Sequence, residues 1–166
     1  MRDIKIISLN VKGVGHVVKR QKIISLQKRE NAQIVLLQET HLSDLENIKL
    51  RRGWVGQVFY SSFSSLSRGI AILIHKKLPF TLEEVIKDDG GRYVIISGFL
   101  FGEHILIGSI YGPSAFEPSF FSRLLAAASS RLAPFTVFGV DFNCVQDASV
   151  DQSPSKSAFI SKRLQG

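Results

Sequence analysis

The sequence predicts an α/β protein in which mixed β-sheets carry helices on their outer faces. Three observations lead there. Short β-branched apolar runs and an amphipathic stretch open the chain in β-α-β order. From Trp54 onward, strand-like runs follow one another through tight turns, the mark of antiparallel pairing. A helical stretch and one more buried run then return toward the C-terminal end. With 45% hydrophobic and 21% charged residues, the 166-residue chain can bury a core, and no repeat or linker divides residues 1–166.

Taken in order, Ile4 to Asn10 is apolar and β-branched and reads as a buried strand. Val17 to Arg29 sets Val17, Ile24 and Leu26 among Lys19, Arg20, Lys22, Lys28 and Arg29, which predicts an amphipathic basic helix. Ile34 to Gln38 is a second buried strand. Ser43-Asp44-Leu45-Glu46 has the spacing of a capping box and should open a short helix. Val55–Tyr60, Gly69–His75 and Phe80–Ile86 read as strands. Asp88-Asp89-Gly90-Gly91 turns the chain into Tyr93–Phe101, and Gly102-Glu103 predicts a type II′ hairpin into His104–Tyr111. Phe120 to Leu132 is helical and Phe135–Val140 is a buried strand. Ser153-Pro154 then marks the start of a last helix, with no strand after it.

Charge narrows the choice of partner. Residues 1–83 hold 14 basic and 6 acidic side chains, net +8, whereas residues 84–166 hold 7 and 8, net −1. A basic field this lopsided favours a polyanion, nucleic acid before membrane. The basic helix and the Lys49–Arg52 segment are its densest parts. One cysteine, Cys144, excludes an internal disulfide and the structural Cys/His zinc classes. The start Met1-Arg2-Asp3-Ile4-Lys5 lacks the form of a signal peptide. No run approaches the roughly 18 apolar residues of a membrane helix. The expectation is an intracellular protein of nucleus or cytoplasm, with no membrane partner and no small-molecule cofactor.

Polar residues recur where the buried strands end. Asn10 ends the first, Glu39 ends the second in Gln38-Glu39-Thr40-His41, Tyr111 ends the hairpin strand, and Asp141 with Asn143 ends the last. Strand ends at one rim are where α/β folds place their sites. Two carboxylates with two amide oxygens form a hard-oxygen set that suits Mg²⁺ or Mn²⁺ and not zinc. Any one of these residues alone is also what a strand-terminating turn would use.

The ordered set has a family likeness. Ser8-Leu9-Asn10, Gln38-Glu39-Thr40-His41-Leu42, Ser67-Arg68-Gly69-Ile70-Ala71, Ile110-Tyr111-Gly112-Pro113 and Gly139-Val140-Asp141-Phe142-Asn143-Cys144 follow one another along the chain. Together they resemble the endonuclease/exonuclease/phosphatase superfamily with its DNase I-like fold. The stretches Gln38–Leu42 and Asp141–Ser153 look most like the endonuclease domain of non-LTR retrotransposons. The resemblance covers essentially the whole chain.

That resemblance implies a four-layer α/β sandwich, two mixed sheets between helices, incomplete at the C-terminus. It implies a Mg²⁺-dependent DNA phosphodiesterase, with Mn²⁺ as a substitute. Glu39 would be the metal carboxylate, assisted by Asn10. Asp141 would orient and deprotonate the attacking water. Asn143 would hold the scissile phosphate or help at the metal, and Tyr111 would donate to a phosphate oxygen in the transition state.

The chain departs from the family pattern at Val140, Gly112 and Ser114, and after Asp151 it lacks the family's further aspartate and Ser-x-x-Asp-His element. On that basis a weakened enzyme is expected, and the competing reading is a nucleic-acid-binding remnant that no longer turns over. Of the other candidates, His41 lies two residues from Glu39 and reads as surface or supporting rather than ligating. His16, His75 and His104 read as helix-entry or strand-rim residues, and Arg68 as a turn residue that could meet phosphate. Gly13-Val14-Gly15-His16-Val17-Val18 has the outline of a dinucleotide loop, but Val18 stands where its third glycine must allow close packing.

Overall fold

A computed structural model of the chain describes residues 3–113 and 117–142, and the backbone of residues 158–163. The elements run β1 (Ile6–Asn10), α1 (Val17–Arg29), β2 (Ile34–Gln38), α2 (Asn47–Gly53), β3 (Gly56–Ser61), β4 (Ile70–His75), β5 (Phe80–Lys87), β6 (Tyr93–Leu100), β7 (Glu103–Tyr111), α3 (Pro118–Ser129), β8 (Phe135–Asp141) and β9 (Ala158–Arg163). Two mixed sheets result, one ordered β1-β2-β4-β3 and the other β5-β6-β7-β8-β9. Each contains one parallel pair made by a crossover helix, β1 with β2 through α1 and β7 with β8 through α3. The C-terminal ends of a parallel pair necessarily share a rim. Asn10 therefore pairs with Gln38 at the end of one sheet, and Tyr111 with Asp141 at the end of the other.

The strand period of two sorts the side chains into layers. Ile34 and Leu36 of β2, Ile70, Ile72 and Ile74 of β4, Val94 and Ile96 of β6, and Ile105 and Ile107 of β7 meet between the sheets. The alternate residues of the first sheet, such as Val35, Leu37 and Leu73, pack outward with Ile24 of α1 and Leu50 of α2. Those of the second sheet, Ile95, Leu106 and Ile110, pack outward with Phe120 and Ala128 of α3. The result is the four-layer helix–sheet–sheet–helix sandwich. At Gly139, in the face between the sheets, a side chain would collide with the opposite sheet. A Cβ on Gly139 would stand 2.6 Å from both Leu36 Cδ1 and Ser8 Oγ.

Several local expectations hold in atomic detail. Ser43 and Glu46 exchange bonds, the Glu46 N–H donating to Ser43 Oγ at 3.2 Å and the Ser43 N–H to the Glu46 carboxylate at 3.2 Å. His16 caps α1 by accepting from the Val18 N–H at 3.3 Å. Others need correction. The hairpin turns at Phe101-Gly102, with Leu100 opposite Glu103 and positive φ at both turn residues, 50° and 78°. That is the type I′ pattern rather than type II′ at Gly102-Glu103, because two-residue loops require the left-handed region at both centres or the first. In α1 the inward residues are Ile24 and Gln27, while Val17 and Leu26 are 48% and 38% exposed. Only a narrow stripe of this helix meets the sheet. Strand β1 is half-buried rather than buried, since it pairs with β2 alone as an edge strand.

The C-terminal expectation changes most. Residues Ala158–Arg163 form a strand antiparallel to β8, not a helix, and so a strand does follow β8. Pairing satisfies the peptide groups along that edge of β8, which helical residues could not do. Asn143, Cys144, Ser114, Ser153 and Pro154 lie outside the described residues. Among the described residues no helix is long and apolar enough to cross a membrane.

The close approach at Gly139 yields a direct test. Gly139→Val should destabilise the protein by about 1–3 kcal/mol through overpacking between the sheets. A urea titration reads this as a lower midpoint at similar slope. An unchanged midpoint would mean that the sheets do not meet there.

Candidate active site

The inter-sheet face changes character toward the shared rim. Along β1 it runs Ile6, Ser8, Asn10; along β7 Ile107, Ser109, Tyr111; along β8 Val137, Gly139, Asp141. Aliphatic residues give way first to small polar or absent side chains and then to functional ones. In β2 the same face runs Ile34, Leu36, Gln38, and Glu39 should by alternation point the other way.

It does not, because the backbone leaves the strand conformation at that residue. Glu39 has φ +54°, in the left-handed region that costs a non-glycine residue about 1–2 kcal/mol. The turn re-aims its carboxylate into the cleft between the sheets. Neighbouring loops hold this conformation from both sides. The Glu39 carbonyl accepts from the Gly13 N–H at 2.7 Å, and the Thr40 carbonyl from the Val14 N–H at 2.9 Å. On the other flank the Thr40 N–H donates to the Gly69 carbonyl at 3.0 Å and the His41 N–H to that of Arg68 at 2.8 Å. Lys12, His41 and Arg68 also have left-handed backbones, so among the described residues four of the six such non-glycine residues meet in this one loop cluster. Strain concentrated in this way marks a place where conformation serves function. Gly13, with φ +90°, makes room for the His41 ring, whose Nδ1 would lie 2.9 Å from any Cβ there.

Glu39 and Asp141, from different sheets, converge on a single amide. Asn10 Nδ2 donates to Glu39 Oε2 at 2.6 Å and to Asp141 Oδ2 at 2.5 Å. The two carboxylates are thus near enough to share one cation or one bridging water. Asn10 Oδ1 meanwhile accepts from the Lys12 N–H at 3.0 Å, so the amide presents its nitrogen, not its oxygen, to the carboxylates. Asp141 is only 3% exposed. Tyr111 Oη donates to Glu39 Oε1 at 3.2 Å, and His41 Nε2 stands 3.8 Å from the same oxygen. Burial first, then the charge of Glu39 and the hydrogen bond to it, then the charge of Asp141, push the Tyr111 phenol far above its ordinary pKa, while Arg68 pulls weakly the other way. Tyr111 Oη is therefore held as a hydroxyl donor toward Glu39.

Four of the five residues picked from the strand ends come together, and the fifth, Asn143, lies outside the described residues. His41 and Arg68 flank them. The basic field is less well placed than the sequence suggests. Lys12 and Lys19 sit near the site, the Lys19 ammonium donating to the Lys12 carbonyl at 2.9 Å. Lys28 and Arg29 occupy the last turn of α1, about 15 Å from its first turn at 1.5 Å rise per residue. Only the start of that helix borders the cleft.

The chemistry of the donor set fits a hard divalent cation. Two carboxylates lie close together with an amide nitrogen as their shared partner, and a neutral phenol stands beside them. Among the described residues no three His, Cys, Asp or Glu side chains group as a metal cage. One or two carboxylates, completed by water and substrate oxygens, is the usual provision for Mg²⁺.

The left-handed turn makes a stability prediction. Glu39→Gly should be more stable than Glu39→Ala by about 1 kcal/mol, reversing the usual order, because glycine adopts this φ without penalty. Paired denaturant melts check it, and a more stable alanine variant would show that the backbone there is not left-handed.

Comparison with known proteins agrees with this architecture. The model of the Endonuclease/Exonuclease/phosphatase family matches residues 7–161. Among solved structures, the endonuclease domain of TRAS1, a telomere-specific non-LTR retrotransposon, is similar at TM-score 0.61 and 17% identity, over 90% of this chain and 68% of that one. Truncated TDP2 of Caenorhabditis elegans is similar at TM-score 0.59 and 19% identity, over 91% and 66%. TDP2 of D. rerio, complexed with a single-strand DNA product, is similar at TM-score 0.61 and 21% identity, over 89% and 63%. The chain spans about two thirds of the length of these structures. With a family match along nearly all of its length and the DNase I-like sandwich in its structure, the chain belongs to the endonuclease/exonuclease/phosphatase family.

Proposed function

We propose that residues 1–166 form a divalent-metal-dependent phosphodiesterase domain acting on DNA, of the kind that nicks target DNA for a non-LTR retrotransposon. The observation that carries this reading is the meeting of Glu39 and Asp141 on Asn10, with the protonated Tyr111 against Glu39. The similarity to the TRAS1 endonuclease domain and to a TDP2 bound to a DNA product supports DNA as the substrate.

Each residue then has a task. Glu39 and Asp141 would hold Mg²⁺ or Mn²⁺, which supplies positive charge to the phosphoryl oxygens when bound. Asp141, as general base, accepts the proton of the water that attacks phosphorus, while the P–O bond to the leaving sugar oxygen breaks and that oxygen takes a proton from solvent. Tyr111 turns its single hydroxyl proton from Glu39 to a phosphoryl oxygen as negative charge grows there. Asn10 keeps the carboxylates in register, and Asn143, two residues past Asp141, positions the scissile phosphate. Arg68, Lys12 and Lys19 at the rim engage backbone phosphates, which orients DNA without reading its sequence.

The test is conversion of supercoiled plasmid to open circles by the purified chain. Nicking should require Mg²⁺ or Mn²⁺, stop with chelator, and fall about 10²–10⁴-fold in Asp141→Asn, as loss of a general base does. Salt-sensitive DNA binding with no metal-dependent nicking would replace the enzyme by a binding domain. Nicking that survives in Glu39→Ala would assign it to a contaminant and overturn the reading.

A further inference from the structure

Directly beneath the four site residues lies a second polar layer that no step of the proposed chemistry uses. Gln38 and Ser109 are both fully buried, at 0% exposure, in the face where the two sheets meet. Gln38 Nε2 donates to Ser8 Oγ at 3.0 Å, on its own sheet, and to Ser109 Oγ at 3.2 Å, on the opposite one. Ser109 Oγ in turn donates across the gap to the Leu37 carbonyl at 3.1 Å. The fourth corner is Gly139, where a Cβ would meet Ser8 Oγ.

The register of this layer is the important point. Ser8 precedes Asn10 by one strand repeat, Ser109 precedes Tyr111 by one, and Gly139 precedes Asp141 by one. Gln38 immediately precedes Glu39, at the last residue before the chain turns left-handed. The residues of the layer are therefore the footings of the site residues, strand by strand. Ser109 also lies opposite Gly139 in the β7–β8 ladder, just as Tyr111 lies opposite Asp141.

Stability alone does not account for glutamine here. The face continues from Ile34 and Leu36, and an aliphatic residue would extend it without desolvating an amide. Gln38 Oε1 is buried and accepts no hydrogen bond among the described residues, a cost that leucine or methionine would avoid. An amide bonded to a hydroxyl on each sheet favours the offset at which both bonds form, a directional constraint that apolar contacts lack.

We propose that Gln38 is a positioning residue whose amide, bonded to Ser8 and Ser109, sets the offset between the two sheets and so brings Glu39 within reach of Asn10, Tyr111 and Asp141. This rests on the proposed function only where cation binding is concerned. Partners behind metal ligands typically carry about 10–100-fold in metal affinity.

The test uses Gln38→Met, which keeps length and loses the donor, beside Ser8→Ala, which removes one acceptor, and Ser109→Ala, which removes the other together with the bond to the Leu37 carbonyl. Fold is checked by a cooperative urea transition. Site geometry is read from the NMR resonances of the Asn10 side-chain amide, which report its bonds to both carboxylates with no metal and no substrate. Cation affinity is read by calorimetry with Mn²⁺. Gln38→Met should fold, shift the Asn10 amide toward its position in Glu39→Ala, and bind Mn²⁺ about tenfold more weakly. Both serine variants should move the same resonance by smaller amounts, which decides the matter even if Gln38→Met fails to fold. An Asn10 amide unmoved in the folded variants overturns the proposal. If that amide moves but the wild-type chain binds no Mn²⁺, positioning stands and the metal-dependent function falls.

Discussion

The site depends on two carboxylates from opposite sheets being held against one amide nitrogen. Glu39 belongs to the end of β2 and Asp141 to the end of β8, and Asn10 Nδ2 touches both. Like charges at this spacing repel, more strongly in a cleft than in water. The arrangement persists only because each partner is fixed by elements that have independent reasons to be there. Asp141 is paired with Tyr111 in a parallel ladder, and Glu39 is clamped by the loops after β1 and before β4. A pocket of concentrated negative charge, braced by neutral donors, is what a hard cation and then a phosphate can occupy.

Because the carboxylates come from different sheets, the site exists only when the sheets are packed. The inter-sheet core of Ile34, Leu36, Ile72, Ile96 and Ile107 is therefore as much a condition of the site's geometry as the rim. The two crossover units contribute alike, each ending a parallel pair at the same rim. This explains why a small set of residues scattered along the chain can act together.

Much of this was legible in the sequence, for identifiable reasons. Ile34–Gln38 and Val17–Arg29 have the observed bounds because an apolar run marks the one and interleaved apolar and basic residues mark the other. Asn10, Glu39, Tyr111 and Asp141 stand out by position, since each is a polar residue closing an apolar strand. Other features leave no local signal. Nothing in Gln38-Glu39-Thr40-His41 announces a left-handed backbone at Glu39, which the hydrogen bonds of two other loops impose. Phe101 takes a left-handed turn position that its side chain disfavours, because the strands on either side dictate the loop. The outward exposure of Val17 and Leu26 follows from how α1 lies on the sheet, which helical periodicity alone does not specify. The buried role of Gln38 was hidden in plain view, as a polar residue at the end of an aliphatic strand is easily taken for its exit.

A crystal structure of the chain grown with Mn²⁺ and examined by anomalous scattering tests the meeting of the two carboxylates most directly. One strong peak is expected between Glu39 and Asp141, within direct or single-water reach of both carboxylates. A peak elsewhere, or Glu39 and Asp141 on separate rims with no cation between them, would contradict it.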